Sequence, residues 1–417
     1  MRIILAMIVF LFCGTLTAQK IFTTGIPSSI YMVPLSVAVG DFNNDGAFDV
    51  AVTGQNDLDG SGQLSILYGR GDGGFKNKID LLTDKYAVDV HAVDLDNDGL
   101  LDLVTANKDA QTLNIFMNQK SGGFKTKDPI KVKGEPRFVS SGDFNKDGRL
   151  DLVVVVGNEL HFFKGSNYKY TGSISLESTP VAIRAGDFSG SGISHVLVRF
   201  ADNASVDLVA PNDLSSKMTA GIIKLDMSTT PYFARLGYIN EDDFPDAVRL
   251  GAGGKSVIAQ LSSANGLLLT EQEVIPVEQG TNDFVVGDFN KDGKDDIGVM
   301  DPANLQILIY LNESPGSPVN KNTSDMKMAV LYDADFEKPN TVNMGMLAAY
   351  KNASMIIYDP SGNATRTYFE FDADLPEGQQ FALEWNGTDA NDAKVPDGTY
   401  VFYYRLGSIV VARILKK

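Results

Sequence analysis

Four short segments of this chain carry oxygen-bearing side chains at a fixed spacing that suits a hard divalent cation. Each segment has Asp at positions 1, 5 and 9, Asp or Asn at position 3, and Gly at position 6. Calcium takes about six to eight oxygen ligands, and these side chains, with the main-chain carbonyl of position 7, can surround one ion. Gly at position 6 permits the sharp turn that this wrapping requires. The pattern therefore predicts four calcium sites.

The predicted ligands of each site are four side chains and one main-chain carbonyl, that of position 7. In chain order the four sets are Asp41, Asn43, Asp45, Ala47 and Asp49; Asp94, Asp96, Asp98, Leu100 and Asp102; Asp143, Asn145, Asp147, Arg149 and Asp151; and Asp288, Asn290, Asp292, Lys294 and Asp296.

Two other interpretations of these segments were weighed against the calcium sites. Asp, Asn and Gly favour turns without any metal, which would account for a single copy more easily than for four. An EF-hand needs Glu at position 12, where this chain has Val52, Thr105, Val154 and Val299. The residues that follow the third segment, Val153–Val156, favour a strand, which excludes the EF-hand and also a helical dockerin.

The segments belong to a longer repeat. Copies start at 41, 94, 143 and 288, and two decayed copies start at 187 and 238, so the steps are 53, 49, 44, 51 and 50 residues. The copy at 187 has Ser189, Ser191 and His195 at ligand positions, and the copy at 238 keeps only Asn240, Asp242 and Asp246. Neither is counted among the predicted sites. Six units of about fifty residues fill 20–312, a period typical of propeller blades.

The flanks of each segment predict strands, because short apolar or alternating runs are bounded by Gly, Asn and Asp. In the third unit the predicted strands are Arg137–Gly142, Leu152–Val156, Leu160–Phe163 and Tyr168–Leu176. Four strands per unit indicate a propeller blade. The sixth unit is one strand short, and Lys20–Thr24 is predicted to complete it and close the ring. Six blades are favoured, and a seventh without a motif stays open.

At these residues the sequence resembles the FG-GAP/VCBS repeat family, which includes the integrin α-subunit propeller. The resemblance covers residues 19–312 and implies an all-β propeller with calcium in the loops between strands 1 and 2, although that family usually has seven blades. It also implies that the 2–3 and 4–1 loops build the opposite face. The recognition residues expected there are the loop Gln55–Gln63 and Tyr31, Tyr86, Arg137, Phe138, Tyr232 and Phe233. The alternative for the aromatic and arginine side chains is that they fill the central channel.

Composition and the chain start predict an exported protein. Residues 1–18 have the charged, apolar and small-residue layout of a signal peptide. The one cysteine, Cys13, follows Phe12 rather than the small residue that a lipoprotein anchor needs, and it lies within that peptide. No run of eighteen apolar residues predicts a membrane span, and a net charge of −17 argues against a nucleic-acid partner. We expect a secreted or cell-surface protein of a bacterial envelope or the extracellular space.

The C-terminal part has a different pattern. Residues 313–325 have the composition of a linker, and 326–417 are predicted to form a small Ig-like β-sandwich. Within it, Trp385–Asp389 and Val395–Tyr400 resemble an element of FlgD-type Ig-like domains and of sorting domains used in type IX secretion. The resemblance leaves two roles open: a sorting signal read by a secretion system, or a packing module.

No catalytic constellation stands out in the sequence. His91, His161 and His195 are the only histidines, and each lies in a strand-like run without a recognisable nucleophile motif. The repeat already explains the acidic pairs. By analogy with the family, we expect a calcium-binding adhesion or recognition module that binds an extracellular protein or glycan. A propeller enzyme or enzyme subunit acting on polysaccharide is the alternative.

Overall fold

The computed structural model describes most of the repeat region and separate segments of the C-terminal part. The described residues are 21–56, 60–120, 123–186, 192–200, 205–211, 214, 220–226, 232–239, 246–262, 268–277, 280–314, 328–335, 340–345, 350–358, 364–375, 380–385, 388–391, 393–396, 399–406 and 409–416. The proposed signal peptide, most of the proposed linker and the centres of both decayed motifs lie outside them.

The first three units form antiparallel sheets in which strands follow one another outward from the centre, with β9 and β10 both pairing with β8. Their strands, with β1 ahead of them, are β1 (Ile26–Ser29), β2 (Val33–Gly40), β3 (Asp49–Gln55), β4 (Gly62–Gly69), β5 (Phe75–Leu82), β6 (Ala87–Val93), β7 (Asp102–Asn107), β8 (Thr112–Asn118), β9 (Phe124–Thr126), β10 (Ile130–Lys131), β11 (Pro136–Gly142), β12 (Asp151–Val156), β13 (Glu159–Lys164) and β14 (Lys169–Ser175).

The next three units repeat this order, and one short 3-10 helix, Ala252–Gly254, lies in the fifth. Their strands are β15 (Pro180–Gly186), β16 (His195–Phe200), β17 (Ser205–Pro211), β18 (Ala220–Asp226), β19 (Tyr232–Gly237), β20 (Asp246–Leu250), β21 (Ser256–Ser262), β22 (Leu268–Pro276), β23 (Phe284–Gly287), β24 (Asp296–Asp301) and β25 (Gln306–Tyr310).

The register between the first two strands is the same in all six units. The last residue of the inner strand pairs with loop position 9, whatever residue stands there: Gly40 with Asp49, Val93 with Asp102, Gly142 with Asp151, Gly186 with His195, Gly237 with Asp246 and Gly287 with Asp296. The decayed units therefore keep the strand register of the intact ones. The strands predicted in the third unit are confirmed to within one residue.

Burial explains why these runs form strands. The second strand of the first, second and sixth units is buried along all or nearly all of its length, as β7 and β24 show. A strand covered on both faces reads as a continuous apolar run. The outermost strand β5 alternates charged and apolar residues, because one of its faces meets water.

The strand that completes the sixth unit is not where the sequence placed it. β1 pairs antiparallel with β25, whereas the proposed strand Lys20–Thr24 contributes one bridge, between Phe22 and Asn312. The sequence obscured β1 because it contains Pro27, which cannot donate a ladder hydrogen bond. β1 is the edge of its sheet, where proline is tolerated. The prediction that an N-terminal segment joins the sixth unit is confirmed, and its position is corrected.

Neighbouring units pack through apolar clusters that run from one sheet to the next. Such clusters join the first unit to the second, the second to the third, the third to the fourth and the fifth to the sixth. Another joins the sixth to the first, through Phe289 of the sixth and Val37 of the first. Close contact at the strand ends needs glycine: a Cβ on Gly287 would lie 2.9 Å from the Phe48 ring of the first unit. The chain has the β-propeller repeat fold.

The C-terminal strands are β26 (Met328–Asp335), β27 (Asn340–Gly345), β28 (Tyr350–Tyr358), β29 (Ala364–Leu375), β30 (Gln380–Trp385), β31 (Thr399–Leu406) and β32 (Ile409–Lys416). Six of them contain strand-like runs that the sequence itself predicts, and β27 does not. The predicted runs are Met328–Tyr332, Ser354–Tyr358, Thr367–Phe371, Phe381–Trp385, Thr399–Arg405 and Ile409–Leu415. β26 pairs antiparallel with β19, so that β26, β32, β31, β28 and β29 extend the sheet of the fifth unit. A separate Ig-like sandwich stays a prediction. Among the described residues, no helix has the length and apolar character needed to cross a bilayer.

Candidate metal-binding loops and central cavity

The four intact loops share one backbone conformation. Position 4 is left-handed in each, at Asn44, Asn97, Lys146 and Lys291, with φ between 58 and 61°. Position 6 is a glycine with φ between 76 and 85°. A Cβ on Gly99 or Gly148 would meet nothing within 4 Å, so it is the left-handed φ rather than space that calls for glycine there. The sequence repeat is thus a repeat of conformation.

Carboxylates inside each loop hold this conformation. The two oxygens of the position 1 Asp accept hydrogen bonds from the N–H groups of positions 5 and 6, at 2.7–3.1 Å in all four loops. The position 5 Asp accepts from the N–H of position 7 at 2.9–3.1 Å. These bonds fix the backbone of the loop in one short turn.

The Asp at position 9 is buried and joins three parts of its unit. One oxygen accepts from the N–H of position 2, and the other from an N–H at the end of the third strand or up to two residues beyond it, at 2.7–3.2 Å. In the third unit these donors are Phe144 and Gly165. We call this arrangement the aspartate clasp. The residues concerned are Asp49, Asp102, Asp151 and Asp296.

Burial raises the pKa of the clasp residues Asp49, Asp102 and Asp151 to about 6 and that of Asp296 to about 8, against the opposing effect of their N–H bonds. No described lysine or arginine nitrogen lies within 4.0 Å of these carboxylates. A cation bound in the loop would supply the missing opposite charge. The residues therefore fit a divalent ion.

The second loop fits best. One oxygen from each of Asp94, Asp96 and Asp102 lies within 4.8 Å of the other two, and position 3 is a carboxylate only in this loop. In the first and third loops a lysine contacts the position 5 carboxylate: Lys76 pairs with Asp45, and Lys164 lies 3.5 Å from Asp147. A lysine in that place competes with a metal ion for the carboxylate. The second loop is therefore the strongest candidate for a metal site.

The decayed units keep the clasp position but not the ligands. In the fifth unit, Asp246 is fully buried and accepts from the N–H of Ile239 at 2.7 Å. In the fourth, the buried His195 stands at position 9. Sequence analysis had assigned the position 9 Asp to the metal alone. The persistence of Asp246 in a loop that has lost other ligands shows that the clasp has a structural role of its own.

The face opposite the loops carries two tyrosines with unusual backbones. Tyr31 and Tyr86 lie just before the inner strands β2 and β6, with φ of 60° and 62°. Tyr31 is 73% exposed, with the Lys78 ammonium 5.6 Å from its ring centroid. A left-handed conformation costs about 1–2 kcal/mol for a residue with a Cβ, and such strain concentrates at functional sites. Because Tyr31 is exposed, it is the residue of this face that we expect to contact a ligand.

Replacing Tyr31 separates backbone strain from side-chain function. Tyr31→Gly removes the strain and Tyr31→Ala keeps it, so we expect the glycine variant to be more stable than the alanine variant by about 1 kcal/mol in urea unfolding. Both lose the contact with Lys78, which makes them a matched pair. Equal stability of the two variants would show that the backbone at 31 is not strained.

The inner strands of all six units surround a cavity of about 820 Å³. Tyr86, Arg137 and Phe138, which the sequence placed on the opposite face, line this cavity. For Tyr232 and Phe233 only the backbone is described, and the loop Gln55–Gln63 is described except at 57–59. The cavity contains a set of charged residues that sequence analysis did not bring together: Asp89, Lys108, Arg184, Arg199, Arg235 and Asp283.

The three histidines lie in strands, as predicted. His91 lines the cavity with its Nε2 2.9 Å from the Ser141 hydroxyl. Burial, reinforced by nearby Arg184, lowers the pKa of His91 to about 4, so it is neutral at pH 7. His161 is buried, with Nε2 2.9 Å from Glu159.

Comparisons with known proteins support the repeat. Residues 41–105 and 94–154 match the family model FG-GAP_3, described as an FG-GAP-like repeat. The chain therefore contains FG-GAP-like repeats. No curated protein matches the chain.

Similar solved structures are distant. BBS1N in complex with ARL6DN is 13% identical, with a TM-score of 0.45 over 72% of this chain and 99% of that one. An Agrocybe aegerita lectin that recognises non-reducing terminal N-acetylglucosamine is 12% identical, with a TM-score of 0.35 over 71% and 79%. The Pan2 WD40 domain of Neurospora crassa is 9% identical, with a TM-score of 0.39 over 70% and 98%.

Proposed function

We propose that this protein is a secreted or cell-surface recognition module, a six-bladed propeller stabilised by calcium that binds an extracellular protein or glycan. The observation that supports it most is the shared backbone conformation of the four intact loops, together with the three carboxylates that lie close together in the second loop. Calcium prefers such oxygen sets. With no cysteine after Cys13, bound ions replace disulfides as the stiffening element.

The recognition role rests on the face away from the metal loops. Strained and exposed Tyr31 lies there, and Tyr86 and Arg137 line the cavity. Aromatic and arginine side chains are enriched among residues that dominate binding energy. Residues 1–18 would direct export, and 326–417 would either present the module to a secretion system or pack as a spacer.

Metal content tests the calcium part directly. We expect four calcium ions per chain by elemental analysis after dialysis against millimolar calcium. Asp98→Asn, which removes a charged ligand from the second loop, should reduce this to three. Asp109→Asn, outside the loops, is the matched control and should keep four. Absence of calcium from the wild-type protein would disprove the proposal.

A further inference from the structure

The central cavity has an excess of positive charge in a chain whose net charge is −17. Five of its lining residues are cationic and two are acidic, Asp89 and Asp283. The low-dielectric walls of such a cavity focus its field and raise the local concentration of opposite charge. An anion is therefore the kind of ligand that this cavity attracts.

The two acids offset only part of this positive charge, and both are engaged with the cavity wall. Asp283 accepts from the N–H groups of Val37 and Phe284 at 3.2 and 2.9 Å, and from Arg235 at 2.9 Å. Asp89 accepts from the N–H of Val139 at 2.8 Å. The Ser36 hydroxyl lies 3.0 Å from Asp89 and 3.2 Å from Asp283. These contacts join inner strands of different units and pair only one arginine.

Arg184 and Arg137 keep their charge available. The Arg184 guanidinium donates to the carbonyl of Ile183 at 2.8 Å, and no described carboxylate lies within 4.0 Å of either arginine. Both side chains are exposed, yet they face the cavity rather than the outer surface. Enclosure by the cavity walls lowers the pKa of Arg184, and repulsion from nearby Arg235 adds a smaller effect in the same direction. An incoming carboxylate would relieve this repulsion.

Other groups that line the cavity favour a ligand that offers more than negative charge. Asp89 accepts one bond at each oxygen, so each oxygen retains a lone pair for a hydroxyl donor. Asn282 offers an amide, and Tyr86 and Phe138 add aromatic side chains to the lining. Inorganic anions and simple aliphatic carboxylates provide nothing for these groups. A uronic acid carries a carboxylate, several hydroxyl donors and an apolar ring face on one unit.

We propose that the central cavity binds the uronic acid residues of an acidic glycan, with Arg184 and Arg137 on the carboxylate and Asp89 on a ring hydroxyl. About 820 Å³ lies within the range of small-ligand sites and admits a few sugar rings. This inference rests on the proposed recognition function and names its ligand class, but it does not rest on calcium.

Calorimetric titration of the full chain with trigalacturonate tests it, with the same free calcium in both solutions. We expect binding that weakens as sodium chloride rises and that Arg184→Gln weakens about tenfold to a hundredfold, the usual effect of a lost hydrogen bond to a charged group. Arg70→Gln is the matched control: Arg70 is exposed in the loop between β4 and β5, beside Asp72, and this substitution should leave Kd unchanged. Arg137→Gln provides the same test should Arg184→Gln not fold.

Two further probes separate the alternatives. Neutral galactotriose should bind at least tenfold more weakly than trigalacturonate, and an acidic peptide with a free carboxyl terminus should not compete with it. Equal binding of the neutral trimer, no effect of either arginine variant, or competition by the peptide would overturn the inference. Binding of galactotriose but not of trigalacturonate would leave the proposed recognition function intact and would disprove only the uronic acid site.

Discussion

Asp151→Ala is expected to destabilise the protein by about 2–6 kcal/mol, whether or not calcium is present. The substitution leaves the N–H groups of Phe144 and Gly165 without the carboxylate that accepts from them. Each buried donor left unsatisfied costs about 1–3 kcal/mol. Equilibrium unfolding in urea, once with calcium and once with a chelator, measures the loss. The raised pKa of Asp151 shows that burial makes its ionised form unfavourable. Removing Asp151 also removes this unfavourable burial, so the net loss of stability is somewhat smaller.

Two comparison variants separate the clasp from the metal. Asp147→Ala removes an exposed ligand of the same loop, so its cost should be largely confined to the calcium condition. Asp246→Ala removes the clasp of the fifth unit, whose loop is not a predicted calcium site, and should be costly under both conditions. If Asp151→Ala destabilised the protein only in calcium, the aspartate clasp would have no structural role of its own.

The sequence predicted most of the repeat fold because its period and its strand pattern agree. Asp stands at the start of the second strand in five of the six units, and runs such as Val153–Val155 are fully buried. β1 was misplaced because Pro27 reads as a turn, and only the finished sheet shows that it occupies an edge. β27 was missed because its sequence, NTVNMG, is too polar to read as a strand.

The candidate sites were predictable to different degrees. The loops are local in sequence, so their ligands could be named in advance. The cavity is not local: Arg184 and Arg235 come from different units and share a layer because each lies two residues before the strand-ending glycine, Gly186 or Gly237. Alignment of the units on the last residue of the inner strand, which is Val93 in the second unit, would have placed both arginines and His91 at one level. The aspartate clasp could not be recognised in the sequence, because the Asp that forms it is also a predicted metal ligand.

Calcium removal should cost the protein more than any single exposed substitution, because four sites act together. A site that binds only the folded form adds RT ln(1 + [L]/Kd). For extracellular modules with Kd of about 10⁻⁴ to 10⁻³ M, millimolar calcium gives roughly 0.4–1.4 kcal/mol per site. Four independent sites would then contribute about 2–6 kcal/mol, which a chelator removes and which urea unfolding measures. Magnesium at the same concentration is the control, since it favours smaller, near-octahedral sites.

The loss should also be uneven around the ring. Intact loops lie in the first, second, third and sixth units, and their carboxylates repel one another when no ion is bound. Hydrogen exchange in chelator should therefore accelerate for amides of β7 and β12, next to the second and third loops, more than for β16 in the fourth unit. The second loop, with four carboxylates and the closest oxygen cluster, should change most. Uniform acceleration across all units would mean that calcium acts elsewhere than in these loops, and an unchanged exchange pattern would mean that they bind none.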